Sequence, residues 1–172
     1  LMIERHIDIE TDDGTMATFI SHPDAGGPYP VVLFLMDAPG KREELHDMAR
    51  RISATGYYVM LPNLYYREVR SFTLHREDPA SAEYMFKLMS NLRNDMVARD
   101  AKSMIAYADA DVVADASRIG VTGYCMSGPF ALWLSAEFPD VIKSAASIHG
   151  VRLAVDAEDS PHSRAAEMVG EI

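Results

Sequence analysis

One cysteine stands among the 172 residues, at position 125, inside Gly123-Tyr124-Cys125-Met126-Ser127-Gly128. It falls between a run rich in β-branched residues, "RIGVTG" (118–123), and a run of small and apolar residues at 129–137 with the character of a helix. A strand that ends in Gly-x-nucleophile-x-small and passes at once into a helix describes a nucleophile elbow. The bend is so sharp that the nucleophile takes strained backbone angles and stands clear of the sheet. Tiny residues are needed where strand and helix approach each other, here Gly123, Ser127, Gly128 and Ala131. The first helical turn aims unpaired N–H groups and a positive dipole end at the sulfur, which favours the reactive thiolate. The N–H of Met126, next after the nucleophile, is the expected oxyanion donor. The competing reading is that Cys125 is a small apolar core residue, the usual fate of a free cysteine. The strand-to-helix context favours chemistry.

The elements that must position this bend can be read from the rest of the chain. Residues 3–10, "IERHIDIE", alternate apolar and polar as a half-buried strand does, and "TDDGT" supplies a turn into a returning strand, "MATFIS". After a Pro/Gly loop at 22–30, the continuous run "VVLFLM" (31–36) predicts a strand buried on both faces. Residues 42–55 place Leu45, Met48, Ala49 and Ile52 on one helical face, with Gly56 suited to the C′ position. "YYVML" is the next buried strand, ended by Pro62. Helices are predicted over 80–91, on the pairs Tyr84/Leu88 and Met85/Met89, and over 95–108. "RIGVTG", the helix at 129–137 and a strand in "KSAASIHG" complete the order β, β, β-α-β, α-α, β-α-β. That order predicts one domain over 1–172 with a three-layer α/β fold. The tail from residue 156 reads as loop with a little helix.

At this point the residues resemble a known family. "GYCMSG" is similar to the "GYC-x-G-G" elbow of the dienelactone hydrolases, α/β-hydrolases with a Cys nucleophile. "VVLFLMDAPG" resembles their strand ending in an acidic residue before the oxyanion loop, and "TGYYVMLPNLYYR" resembles "GY-x-x-x-x-PDLY-x-R". The resemblance implies an α/β-hydrolase fold with a mostly parallel sheet and a Cys125 that attacks an ester or lactone carbonyl to form a thioester. It implies that Asp37 stands for the family's acidic residue near the resting thiol, one methylene shorter than the usual Glu. It implies that Ala38 supplies the second oxyanion N–H beside that of Met126. Where the family's best-known enzyme has an Arg and a Tyr that meet a substrate carboxylate, "ASAEYMFKLM" has Ala82 and Phe86, so a carboxylated dienelactone is not expected. Arg67 and Arg76 are read as surface arginines.

A hydrolase of this kind also needs an acid and a histidine after the nucleophile. The chain offers Asp140, Asp156, Asp159, His149 and His162. His149 directly follows the strand in "KSAASIHG", at a place that the resemblance puts near the pocket but not at the catalytic base, and His162 lies in the polar tail with no strand before it. The expectation is a fold cut short at its C-terminal end, without a complete triad and with little activity by itself. A sheet edge left open there invites self-association. The alternative function is a non-catalytic member that keeps the elbow as architecture. Histidine spacing indicates no metal, "APGKR" (38–42) lacks the first Gly and the Ser/Thr of a phosphate loop, and no cofactor motif is present. A net charge of −10 disfavours a nucleic-acid or anionic-membrane partner, and no apolar run approaches the roughly 18 residues of a membrane span. A single cysteine cannot form an internal disulfide, which fits a reducing cytoplasm.

Overall fold

A computed structural model describes residues 1–155 of the chain. Strand β1 (Met2–Thr11) and β2 (Gly14–Pro23) form the predicted hairpin, in register Thr11 opposite Gly14. Strand β3 (Tyr29–Leu35) follows, then helix α1 (Glu43–Ser53) and strand β4 (Tyr58–Pro62). Helices α2 (Pro79–Ser90) and α3 (Asn94–Asp109) lead to β5 (Ala114–Tyr124). A 3-10 turn at Cys125–Ser127, helix α4 (Gly128–Glu137) and strand β6 (Ile142–Ile148) complete the described part. The loop expected at 22–30 shrinks to 24–28, because ladder pairing extends β2 to Pro23 and starts β3 at Tyr29.

The sheet runs β1-β2-β4-β3-β5-β6, antiparallel through the hairpin and its junction with β4, and parallel from β4 onward. From β3 the chain steps to β4 on one side, then crosses to β5 on the other side and continues outward to β6. Right-handed crossovers then place α1 on one face and α3 with α4 on the opposite face. Accordingly α1 packs on β2 and β4, while α4 packs on β5, β6 and α3. The direction of strand order reverses between β3 and β5. In open α/β sheets a crevice opens beyond the carboxyl ends of the strands at that switch.

The β-branched and apolar run predicted to be buried on both faces is so: Val31 through Met36 are all inside, as are Tyr58 through Leu61. Helix α1 keeps Leu45 and Ala49 inside, and its chain leaves through Gly56 at φ 99°. Helix α2 departs from expectation. Only Leu88 of its predicted apolar stripe is buried, and Tyr84 and Phe86 face outward. Its helical spacing is real, but the helix sits on the rim rather than on the sheet. No helix among the described residues is long and apolar enough to cross a membrane. On the α1 side of β5 and β6, a groove of about 390 Å³ lies over Val31, Val32, Ile52, Val121 and Ala145.

Candidate active site

Cys125 lies at the switch point, at the end of β5. Among the described residues it is one of three non-glycine residues with positive φ, at 53°, and it is partly exposed. A left-handed conformation costs a side-chain-bearing residue free energy, and it persists here because packing on both sides enforces it. A Cβ on Gly123 would come 2.0 Å from the Ser127 carbonyl oxygen. At Gly128, a Cβ would meet the Gly150 Cα at 2.4 Å, where the chain leaving β6 crosses the start of α4. Ser127, which fills the family's second glycine position, is buried and donates its hydroxyl to the Met36 carbonyl. This serine therefore ties the elbow to the end of β3.

Strands β3 and β5 are parallel neighbours with Leu35 opposite Gly123. Ala38 is three residues beyond Leu35 and Met126 three beyond Gly123, so both follow the same rung at the same end of the sheet. Both are buried. A third residue joins them: the Tyr65 hydroxyl donates to the Ala38 carbonyl at 2.7 Å and lies 3.4 Å from the Met126 sulfur. Burial first, and then the nearby charge of Asp37, pushes the Tyr65 pKa far above the usual tyrosine value. Tyr65 thus remains a neutral donor at any physiological pH. Asp37 is half-buried, and both its carboxylate oxygens accept from Arg42, at 2.6 and 3.0 Å. Arg42 also donates to the Gly40 carbonyl at 2.9 Å, which fixes the whole bend at 37–42.

Tyr65 and Arg42 were not singled out in the sequence. A tyrosine just past the carboxyl end of a buried strand, followed by a second tyrosine, was the available signal, since a buried hydroxyl needs a partner. Two supports hold Tyr65 in place. Asn63, where the family pattern has Asp, accepts from the Tyr65 N–H at 3.1 Å and donates to the carbonyls of Val69 and Arg70 at 2.8 and 3.0 Å. A carboxylate could not make those two donations. On the other side, Tyr66 donates to the buried Asp100 at 2.8 Å, and Arg67 binds both oxygens of Asp100 at 2.7 and 3.0 Å. Arg67 is therefore not a surface arginine; it is committed to this ion pair, whereas Arg76 is exposed. Tyr65→Phe is expected to cost about 1–3 kcal/mol of stability, because the buried Ala38 carbonyl loses its donor. Denaturant unfolding checks this, and an unchanged midpoint would contradict it.

His149 stands exposed at the end of β6, its ring 6.3 Å from that of Tyr124, and Asp140 is exposed beyond α4. Asp156, Asp159 and His162 lie outside the described residues.

The family model of the dienelactone hydrolases matches residues 16–170. The chain belongs to the dienelactone hydrolase family. A Methylorubrum extorquens protein provisionally named a carboxymethylenebutenolidase is 29% identical over 149 residues, covering 87% of this chain and 50% of that protein. An Escherichia coli protein of the same provisional name is 30% identical over 161 residues, covering 81% of this chain and 54% of its own. The crystal structure of a Klebsiella pneumoniae protein provisionally named a dienelactone hydrolase superposes with a TM-score of 0.78 at 26% identity. It covers 94% of this chain and 65% of that one. The chain spans about half the length of the curated relatives it matches. The six-stranded sheet and flanking helices are thus the α/β-hydrolase fold, as the sequence implied.

Proposed function

We propose that this chain carries the nucleophile of an ester or lactone hydrolase. The observation that supports it most is the strained Cys125, held at the switch point between Ala38 and Met126. The Cys125 thiolate attacks the carbonyl carbon, and the electron pair of the C=O bond moves to oxygen. The N–H groups of Met126 and Ala38 stabilise that oxyanion, and Asp37 lends its charge to the setting of the thiol. The intermediate collapses by breaking the C–O bond to the alcohol, which takes up a proton, leaving a thioester. Water then cleaves the thioester, releasing the acid and restoring the thiol.

The residues at the family's carboxylate-binding places favour an uncharged acyl group. Phe72 lies edge-on to Tyr65 with ring centroids 6.2 Å apart, and Tyr84 to Phe72 at 5.9 Å. Ala82 and Phe86 offer no cation for a carboxylate. A small neutral ester or lactone is therefore the partner, and neither nucleic acid nor membrane is needed. Steady-state hydrolysis of a panel of aliphatic lactones and esters tests the reading. Cys125→Ala is expected to lose at least about 10³-fold in kcat. Retained activity in that variant would refute a cysteine mechanism.

A further inference from the structure

A second cavity, of about 340 Å³, is lined by Lys41 of the bend at 37–42, and neither Cys125, Ala38 nor Met126 lines it. Its lining includes His6 and Asp8 of β1, Thr18 of β2, Lys41, and Arg70 with Ser71 from the segment after β4. Asp8 is the one carboxylate among the residues that line it, against the two cations Lys41 and Arg70. Arg70 is exposed and spans the rim, donating to both oxygens of Asp8 at 3.0 and 3.1 Å. Lys41 is different. It is half-buried, and among the described residues it makes no ion pair.

The charge that Lys41 feels is the like charge of Arg70, and this, after burial, lowers its pKa. Removing an ammonium from water next to a second cation is unfavourable unless a counter-charge completes the site. The protein supplies only Asp8, which is taken up by Arg70. The remaining element is the open volume between them, large enough for a small oxyanion. The Thr18 hydroxyl on its wall already donates to the Met16 carbonyl, so the cationic donors Lys41 and Arg70 are the groups suited to the anion's oxygens. Lys41 belongs to "APGKR", the stretch whose Gly-Lys pair fits no phosphate-loop motif.

We infer that this cavity binds a small oxyanion, a carboxylate or phosphate group, between Lys41 and Arg70. Lys41 lies between Gly40 and Arg42, so the bound anion rests on the same bend that carries Ala38.

Calorimetric titration of the protein at low ionic strength, with inorganic phosphate and separately with succinate, tests this. At least one is expected to saturate with a dissociation constant below about 1 mM, and the tighter of the two identifies the preferred chemistry. Lys41→Met should weaken that binding at least about tenfold. Asp8→Asn should tighten it about threefold or more, because it removes the competing carboxylate and frees Arg70. A gain of this kind cannot come from loss of fold. Absence of saturation by both anions, unchanged affinity in Lys41→Met, or weaker binding in Asp8→Asn would each overturn the inference. Because Cys125 takes no part, these outcomes are independent of whether the protein hydrolyses esters.

Discussion

Gly123→Ala is expected to lower the midpoint of thermal unfolding by about 6–12 °C, a loss of about 3 kcal/mol in a chain of this size. The added Cβ would stand 2.0 Å from the Ser127 oxygen, 2.6 Å from its carbonyl carbon and 3.1 Å from the Ala131 Cβ. Two of these are backbone atoms in the turn that presents Cys125, so no side-chain rotation relieves the clash. The 3-10 turn must move or the strand must end early, and either displaces Cys125. Gly120→Ala is the control on the same strand. Its Cβ would meet only the Ser144 hydroxyl closely, at 2.8 Å, and that side chain can turn away. Thermal unfolding of both variants distinguishes them. Equal, small losses would mean that the elbow is not close-packed and that Cys125 is not held by it.

Arg67→Met is expected to cost about 3–5 kcal/mol, because it leaves the carboxylate of Asp100 buried without its cation. Asp100 is fully inside, and Arg67 also reaches Asp13 at 2.7 Å while its guanidinium lies 4.6 Å from the Tyr66 ring centroid. Burial already raises the Asp100 pKa above the ordinary carboxylate value even with Arg67 bound to it. Without Arg67 the rise is larger. The folded variant then holds a proton that the unfolded chain, titrating near 3.9, has released. Stability linked to that proton is lost as pH rises between the unfolded and folded values and is regained as pH falls through the folded one. The deficit of Arg67→Met relative to the parent should therefore shrink on mild acidification. Arg67→Met/Asp100→Leu should recover most of the loss at neutral pH, since no charge is then buried. Denaturant unfolding at two pH values checks both, and a pH-independent deficit would mean that Asp100 stays solvated.

Much of this architecture was legible because it rests on patterns with one physical cause. The buried runs at 31–36 and 58–61 and the small residues around Cys125 leave few alternatives to a parallel sheet with a tight strand-to-helix bend. The exposure of Tyr84 and Phe86 was not legible, since helical spacing shows that a stripe exists but not what covers it. Arg67 was misread for a related reason. Its partner Asp100 is 33 residues away in sequence, and only the fold brings them together. Tyr65 was visible as part of a family motif, yet its hydrogen bond to Ala38 depends on β3, β4 and β5 lying side by side. The role of Ser127 likewise appears only when the end of β3 is seen beneath it. Asp37 was placed by resemblance, and its pairing with Arg42 five residues on could have been proposed from the spacing alone.

The most direct measurement is peptide mapping by mass spectrometry after brief exposure to 4-nitrophenyl acetate. The account predicts one acetyl group, carried by Cys125 as a thioester, together with one equivalent of released 4-nitrophenolate. An unmodified Cys125, or acetyl groups only on lysines, would contradict it.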